Sequence, residues 1–377
     1  MSTSDLPLVD HHCHGVVSGD LDRGAFELLI NEGFDPAPPG TSHFDSPVGL
    51  AVRRWCAPVL DVEPLVTPEA YLERRAELGA DQVNRRLMRG AGVEALLVDA
   101  AYRVGDVLGT AEMGSLAGVP AYDIARLEAV AETVAGAGVD AAAYPDAYVA
   151  ALEDSARKAV GLKTIVAYRW GFDLDPGPPS RQEVVEAAGR WMRESGNGPF
   201  RLEEPVLLRY GIWTGADLAR QRALPIQVHA GFGDPDLTLH RANPTLLTDL
   251  VRAFRDMAVN VVFLHCYPYH REAAYLAAVF PNVFLDLGSV LHYTGPSSEA
   301  VLAETMELTP FTRHLYSSDA FGVAEYHYLG ALLFRRGLQS VLDQWVRRDD
   351  CSAEEADRIA ELAAWGNARR IYPLAGG

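Results

Sequence analysis

The chain has 377 residues, 49% of them hydrophobic, and a formal net charge of −18 at pH 7. This length suits either two average domains or one large α/β barrel. The acidic balance argues against nucleic acid or an anionic membrane surface as a partner, because both carry negative charge. The N-terminus lacks a signal-peptide pattern, and no apolar run reaches the roughly 18 residues of a membrane span. We therefore expect a cytoplasmic protein.

The first predicted strand ends in a run of metal-binding side chains, which are Asp10, His11, His12, Cys13 and His14. Alternate residues of a strand share a face, so Asp10, His12 and His14 should point together, while His11 and Cys13 should point away. Two imidazoles on one face of a rigid strand can hold a single ion. A chance cluster of histidines near a frayed terminus is the alternative.

Residues 16–92 are predicted to form a helical insertion after strand 1, within a single domain that covers residues 1–377. Inside this insertion, the pattern predicts a helix from Pro68 to Leu78 with Thr67 as its N-cap. The loops that follow strands build the active face of a barrel. We therefore expect the insertion to act as a lid.

Apolar runs recur along the rest of the chain with helical patterns between them. Counting the first, the sequence predicts eight strands, of which the later ones are Glu94–Asp99, Tyr122–Glu128, Gly161–Arg169, Leu224–Gly231, Asn260–Cys266, Asn282–Gly288 and His314–Asp319. Parallel strands need helical crossovers and helices on both faces, so this pattern predicts an α/β fold of the (β/α)8 TIM barrel type. An open doubly wound sheet is the alternative.

Several predicted strands end in residues that bind metal ions, namely His12 with His14, His229, His265 and Asp319. In a barrel the C-terminal strand ends open on one mouth, so residues far apart in sequence converge there. Each of them alone has a plainer explanation. A strand-end histidine is often a hydrogen-bonded structural residue, and Asp319 could cap the following helix. Their recurrence at strand ends favours a metal site.

The same residues resemble a known family, the amidohydrolase superfamily of metal-dependent (β/α)8 barrels. The resemblance comprises the HxH of the first strand, the histidines that end strands five and six, the aspartate that ends strand eight, and the closing segment Trp365–Pro373. Within it, His229–Asp236 and Leu264–Leu276 are similar to the amidohydrolase-2 subgroup. More narrowly, they resemble the domain that some fungi and plants fuse to a glutamine-synthetase-like module.

The resemblance implies one divalent metal ion, most often zinc, with manganese or iron as options. Its implied ligands are His12, His14, His229 and Asp319, and His265 is implied to lie beside the attacking water. Two-metal members of the family carry a bridging carboxylated lysine at the end of strand four.

The predicted fourth strand bears on the number of ions. Lys163 lies near its start, six residues before Arg169, and therefore roughly 20 Å from its far end at about 3.3 Å per residue. We therefore expect a single ion. Glu128, at the end of the predicted third strand, is an alternative bridging carboxylate.

For the chemistry, the resemblance implies a metal-dependent hydrolase in which a metal-activated water cleaves a small amide. Asp319 would take the proton of the water and deliver it to the leaving amine, while His265 would orient the water or stabilise the oxyanion. A γ-glutamyl amide or another carboxylate-bearing molecule is the expected substrate. The alternatives are a metal-dependent decarboxylase of an unsaturated or aromatic acid and a non-catalytic metal-binding scaffold.

The expected partner is a small-molecule substrate, and the sequence leaves homo-oligomer formation open. Arg169, flanked by Tyr168 and Trp170, is predicted at the end of strand four, where a guanidinium suits a substrate carboxylate. A structural salt bridge is the equal alternative for Arg169. Glu325 and His327, just beyond Asp319, are further candidates for substrate contact. The loop after His229 carries acidic residues that either line the pocket or stabilise the loop, namely Asp234 and Asp236.

Overall fold

A computed structural model describes residue 3, residues 6–196, residue 198 and residues 200–374 of the chain. Seven parallel strands follow one another in one sheet in chain order. They are β1 (Leu8–Cys13), β2 (Val93–Val98), β3 (Ala121–Arg126), β4 (Ala159–Thr164), β5 (Ile226–Ala230), β6 (Val261–His265) and β7 (Val283–Leu285). The α/β class and the parallel sheet agree with the sequence pattern, because each predicted strand up to the seventh overlaps an observed one.

Helices connect these strands, as parallel pairing requires. The α-helices are α1 (Arg23–Leu29), α2 (Pro47–Ala51), α3 (Pro68–Gly90), α4 (Thr110–Ala117), α5 (Leu127–Gly136), α6 (Tyr144–Ser155), α7 (Val166–Arg169), α8 (Arg181–Ser195), α9 (Pro205–Arg222), α10 (Thr248–Asp256), α11 (His270–Val279), α12 (Val290–Thr294), α13 (Ser298–Met306), α14 (Ala324–Arg347), α15 (Ala353–Glu361) and α16 (Asn367–Ile371). Within the described part of the chain, none of the helices combines the length and hydrophobicity needed to cross a lipid bilayer.

The predicted eighth strand, His314–Asp319, is an extended segment rather than a regular strand of the sheet. It nevertheless runs beside β1 through backbone hydrogen bonds. The amide of Asp319 donates to the carbonyl of His12 at 3.0 Å, and the amide of His14 donates to the carbonyl of Ala320 at 2.8 Å. These bonds fix Asp319 beside the end of β1.

The register of β1 against β2 contains an irregularity that changes which side chains share a face. Asp10 pairs with Leu96 and Cys13 with Val98, so three residue steps in β1 oppose two in β2. An extra residue of this kind shifts the alternation of side chains. The predicted common face of Asp10 with His12 and His14 is therefore wrong, because the shift lies between Asp10 and the end of the strand.

The ends of β3 and β4 differ from the predicted ones. β3 ends at Arg126, and Glu128 lies in the first turn of α5. β4 ends at Thr164, so Arg169 does not end the strand but lies in the short helix α7. Lys163 is consequently the penultimate residue of β4, and its predicted place near the start of the strand is wrong. The expectation of a single ion depended on a long distance between Lys163 and the far end of this strand, and that distance is absent.

The chain divides into two compact units. The first runs to residue 122 and also contains residues 233–235 and 286–370. In it, Thr67 caps α3 by accepting a hydrogen bond from the amide of Ala70, as predicted. Gly79 has a φ of 73° and a ψ of 155°, so the helix is broken one residue after its predicted end at Leu78. Glycine suits this position because positive φ strains other residues.

The second unit comprises residues 123–232, residues 236–285 and the residues from 371 onward. Its core packs apolar residues of β4, β5 and β6, such as Leu162, Ile226 and Phe263, against α5, α6, α8 and α9. Gly231 follows β5 with a φ of 73°, and a Cβ there would lie 2.3 Å from the carbonyl oxygen of Tyr267. Only glycine permits this close approach of the segments that follow β5 and β6.

Candidate active site

Three ligand-type side chains of the first unit converge at the end of β1. The Nε2 atom of His12 lies 3.2 Å from Oδ1 of Asp319, and Nε2 of His14 lies 3.6 Å from the same oxygen. The two imidazole rings are edge to face, with centroids 5.0 Å apart. The ligand atoms of all three lie within 4.8 Å of one another. The structure thus brings together three of the four residues predicted as metal ligands.

The backbone and the neighbours of this group hold it in place. Asp319 has a φ of 47°, in the left-handed region, which aspartate tolerates better than most residues but which still costs energy. Nδ1 of His14 lies 2.9 Å from the carbonyl oxygen of Asp99. Because a carbonyl can only accept, Nδ1 carries the proton, and the lone pair of Nε2 faces Asp319.

The chemistry of these donors fits a divalent metal ion. Zinc and its neighbours bind imidazole nitrogen and carboxylate oxygen, and catalytic zinc sites use three protein ligands with one open position. His12 is fully buried and His14 is 7% exposed. The side chain of Asp319 is 14% exposed. A metal held here would be reached from one side only.

A second group, of Asp10, Cys13 and His327, lies behind this one in the first unit. Asp10 accepts hydrogen bonds from the backbone amide of Ser318 at 2.9 Å and from its hydroxyl at 2.6 Å. Nδ1 of His327 is 3.8 Å from Asp10. His327 is 2% exposed, and its expected contact with substrate stays a prediction.

Glu325, the other residue predicted beyond Asp319, contacts residues of α3. It is fully buried in the first turn of α14. Its carboxylate accepts a hydrogen bond from the hydroxyl of Tyr71 at 2.7 Å and lies 3.2 Å from Nε of Arg75. Glu325 therefore belongs to an internal ion pair that joins α3 to α14.

A cavity of about 300 Å³ opens at Asp319 within the first unit. Part of its lining comes from the predicted insertion, namely Leu28, Leu29 and residues 31–34. Asp234, from the loop after His229, also lines it. The remaining lining residues are Tyr102, Arg103, His292, Tyr293, Phe321 and Tyr326.

Two titratable residues of this cavity have strongly shifted pKa values. Burial, reinforced by the negative charges of Asp319 and Asp234, raises the pKa of Glu32 to about 8. Burial lowers the pKa of His292 to about 3, so its imidazole is neutral at physiological pH. The ring of His292 stacks on Tyr326 with centroids 3.9 Å apart.

The second unit contains the other predicted histidines. His229 is the penultimate residue of β5, and His265 is the last residue of β6. Their ring centroids are 4.7 Å apart. The ring of Tyr168 lies 4.3 Å from that of His229. His265 has a φ of 66°, so it shares with Asp319 a left-handed backbone at the end of an extended segment. The structure thus groups Tyr168, His229 and His265 within one unit.

Arg169 and Trp170, the neighbours of Tyr168 in sequence, make other contacts in this unit. Nη2 of Arg169 lies 3.1 Å from Oε1 of Glu132, and burial lowers the pKa of Arg169. Of the two alternatives for Arg169, the geometry fits the structural salt bridge. Trp170 is 40% exposed, and the guanidinium of Arg241 lies over its ring at 5.4 Å.

Glu128 has a structural environment in this unit. Oε1 of Glu128 accepts two hydrogen bonds, one from the hydroxyl of Thr164 at 2.6 Å and one from the amide of Ile165 at 3.0 Å. Burial raises its pKa. These bonds hold the start of α5 against the end of β4.

A family model described as amidohydrolase matches residues 9–374. The chain belongs to the amidohydrolase-2 family. Its sequence is 27% identical to protein fluG of Emericella nidulans over 98% of this chain, and it spans about 46% of that longer protein.

Solved structures share the fold of this amidohydrolase. A candidate metal-dependent hydrolase from Lactobacillus casei is 29% identical, with a TM-score of 0.86 over 98% of this chain and 96% of the other. Uronate isomerase from Thermotoga maritima is 15% identical, with a TM-score of 0.64 over 98% of this chain and 95% of the other. The second likeness shows the α/β fold alone.

Sequence reasoning missed two residues of this amidohydrolase's cavity, Glu32 and His292. Glu32 lies in the insertion that was expected to cover the site, but no pattern distinguishes it from the other acidic residues there. His292 lies shortly after the seventh predicted strand, on the side where barrel enzymes place their functional loops. Its position after a predicted strand could therefore have identified His292 as a candidate site residue.

Proposed function

We propose that this protein is a metal-dependent hydrolase that cleaves the C–N bond of a small amide. The observation that carries the proposal is the convergence of His12, His14 and Asp319 at the end of β1. Membership of the amidohydrolase-2 family supports it. We propose zinc as the ion, because two imidazoles and a carboxylate suit it.

Within this proposal, the residues of the chain have separate tasks. A divalent ion, when bound, supplies Lewis-acid polarisation of the substrate carbonyl and lowers the pKa of water. Asp319 accepts the proton of the attacking water at a carboxylate oxygen and passes it to the leaving amine. The hydrogen bond from Nδ1 of His14 to the carbonyl of Asp99 orients the ring, so that Nε2 would be the atom available to hold the ion.

The family resemblance adds His229 as a further ligand and His265 as the residue that orients the water. Both assignments are proposals from sequence. Each is tested by alanine substitution. His229→Ala is expected to lower the metal content, while His265→Ala is expected to lower turnover with the metal retained.

The test combines elemental analysis with a panel of small amides. The protein is purified without chelator, the number of ions per chain is counted, and release of ammonia or amine is measured. Amine release by a metal-containing protein, lost on chelation and restored by zinc, would support the proposal. Release of carbon dioxide from unsaturated acids would identify a decarboxylase instead. Metal without turnover across both panels would favour the scaffold.

A further inference from the structure

Two of the apolar side chains that line the cavity at Asp319 are exposed to solvent. Phe34 is 59% exposed and Leu28 is 37% exposed. Single exposed apolar side chains are common on protein surfaces, but a group of them at a cavity indicates a binding site. The volume of about 300 Å³ is twice the roughly 150 Å³ of a protein cavity known to bind benzene. The cavity therefore has room for a hydrocarbon group.

Aromatic rings also line this cavity. The rings of Tyr102 and Phe321 are in edge contact, with centroids 4.8 Å apart, and the ring of Phe321 lies 6.2 Å from that of His14. The imidazole of His292 stacks on Tyr326 with centroids 3.9 Å apart. Aromatic side chains provide large apolar surfaces that pack against other hydrocarbon groups. The apolar lining therefore extends to the candidate metal group, through the contact of Phe321 with His14.

Two tyrosine hydroxyls and one carboxyl group of the lining bond to one another. The hydroxyl of Tyr326 donates to the hydroxyl of Tyr293 at 3.3 Å, and Glu32 is hydrogen-bonded to Tyr293. Because burial raises the pKa of Glu32 to about 8, its carboxyl group is mostly uncharged at pH 7. A ligand therefore gains little by bringing a charged group to this part of the lining.

The charged side chains of the lining have partners as well. Nε of Arg103 lies 3.0 Å from a carboxylate oxygen of Asp106, and Asp234 also interacts with another residue of the chain. Asp319 belongs to the candidate metal group. A charged substituent would lose its hydration on entering the cavity without meeting an unpaired group of opposite charge. The lining therefore favours an uncharged occupant.

His292 provides an independent observation that a ligand completes the cavity. It is 1% exposed, and both of its ring nitrogens are buried without a hydrogen-bond partner among the described residues. Unsatisfied buried polar atoms are costly and rare in folded proteins. The neutral imidazole offers one N–H donor and one lone pair. An uncharged amide group contains both an acceptor and a donor, so it can bond to either nitrogen.

We propose that this cavity binds an amide that carries an uncharged hydrocarbon substituent, with Leu28 and Phe34 packed against the substituent and His292 bonded to the amide group. This inference rests on the proposed function and names its substrate class. Asp319 lines the same cavity, so a ligand held there lies beside the candidate metal group. The hydrocarbon substituent differs from the substrate carboxylate expected from the sequence.

The test measures binding without turnover. Ligand-observed NMR titrations of the purified, metal-containing protein at pH 7 compare benzyl alcohol, benzylammonium and benzoate, which share a ring and differ in charge. Ethanol is the small uncharged reference. We expect benzyl alcohol to bind at least about tenfold more tightly than ethanol, as burial of the ring predicts, and more tightly than either charged probe. The same order should persist in chelator-treated protein, where coordination to a metal cannot contribute.

Three variants and one control complete the test. Leu28→Ala and Phe34→Ala change exposed side chains, so the fold should survive, and each should weaken benzyl alcohol binding about threefold or more. His292→Phe keeps a ring against Tyr326 but removes both nitrogens, and it should weaken this binding about fivefold. Leu308→Ala shortens a side chain that is 52% exposed and lies outside the cavity lining, and it should keep the wild-type affinity. Near-ultraviolet circular dichroism confirms that each variant is folded.

The inference is overturned if benzylammonium or benzoate binds the chelator-treated protein more tightly than benzyl alcohol does. It is also overturned if folded Leu28→Ala and Phe34→Ala proteins bind benzyl alcohol as Leu308→Ala does. Wild-type affinity in His292→Phe would contradict the bond to His292.

The proposed function fails separately from this inference. Benzyl alcohol binding that depends on Phe34, in a protein without metal and turnover, would support the cavity assignment and contradict hydrolysis. Turnover of charged amides without binding of benzyl alcohol would support hydrolysis and contradict the cavity assignment.

Discussion

The imidazole of His14 donates a hydrogen bond through Nδ1–H to the carbonyl of Asp99 at 2.9 Å. This bond selects the tautomer whose Nε2 lone pair faces Asp319. A main-chain carbonyl cannot be removed by mutating its side chain, so the orientation of His14 is built into the end of β2.

The first prediction concerns this group. His14→Ala should lower the bound metal about tenfold or more in elemental analysis, because a ligand is lost. His11→Asn is the matched control. His11 immediately precedes His12 in sequence but pairs with Asp286, its Nε2 being 2.7 Å from the carboxylate. This control should keep its metal and lose about 1–3 kcal/mol of stability. Equal metal loss in both variants would contradict the assignment of His14.

The second prediction concerns proton transfer. Asp319→Asn should keep the fold and much of the metal, since the amide oxygen can still approach the ion. Turnover on the best substrate of the amide panel should fall by about 10²-fold or more, because an amide cannot accept the proton. Near-normal turnover in Asp319→Asn would remove Asp319 from the mechanism.

The third prediction separates one metal from two. Glu128→Gln should leave the number of ions per chain unchanged, because its carboxylate is engaged with Thr164 and Ile165. Thr164→Val is the control, expected to cost about 1–3 kcal/mol in denaturant unfolding because it removes one of the two hydrogen bonds to Oε1 of Glu128. If the number of ions per chain halved in Glu128→Gln, Glu128 would be a bridging ligand.

Glu325 allows a direct comparison of structural and substrate roles. Glu325→Ala should lower the free energy of unfolding by about 3–5 kcal/mol, because it leaves Arg75 buried without its partner. Glu325→Gln should cost less, and its KM should equal that of the wild type. A KM raised severalfold in a stable Glu325→Gln protein would restore the substrate role.

The buried imidazole of His314 leads us to a prediction about how the free energy of unfolding depends on pH. Burial, with a smaller effect of His11, lowers the pKa of His314 from 6.5 to about 4, so the unfolded chain binds a proton that the folded protein does not. The stability from neutral His314 is complete above about pH 6.5 and is lost as pH falls toward 4. Between pH 7.5 and pH 5 the loss is on the order of 2 kcal/mol.

His314→Phe, which keeps a ring near Phe334, should remove that part of the pH dependence. Chemical denaturation at the two pH values measures it. An unchanged difference between the two values in His314→Phe would assign the acid sensitivity to other groups.

Much of the fold was predictable because buried parallel strands are short apolar runs, and β1, β2, β5 and β6 were placed within two residues at each end. The fourth strand was misjudged for a physical reason. Ile165 and Val166 favour strands by propensity, but Glu128 receives the amide of Ile165, and the chain turns into α7. A contact between residues so distant in sequence leaves no local pattern, so the errors at Lys163 and Arg169 followed from one missed end.

The residues of the candidate site also fall into some that could be predicted from the sequence and some that could not. The convergence of His12, His14 and Asp319 could be predicted because the C-terminal ends of parallel strands meet at one edge of the sheet. The sequence did not reveal that the side chains of Glu325 and His327, just beyond Asp319, are buried. Glu32 and His292 could not be found from residue type alone, since only the folded chain brings them to one cavity.

The irregular register of β1 has a consequence for how this strand tolerates change. Between Asp10 and Cys13 the strand holds one residue more than its neighbour, and that surplus separates the Asp10 group from the His12 group. If the same residues paired with β2 in regular register, Asp10 would share a face with His12 and His14. The separation of the two groups therefore depends on the register of the strand as well as on the identity of its residues.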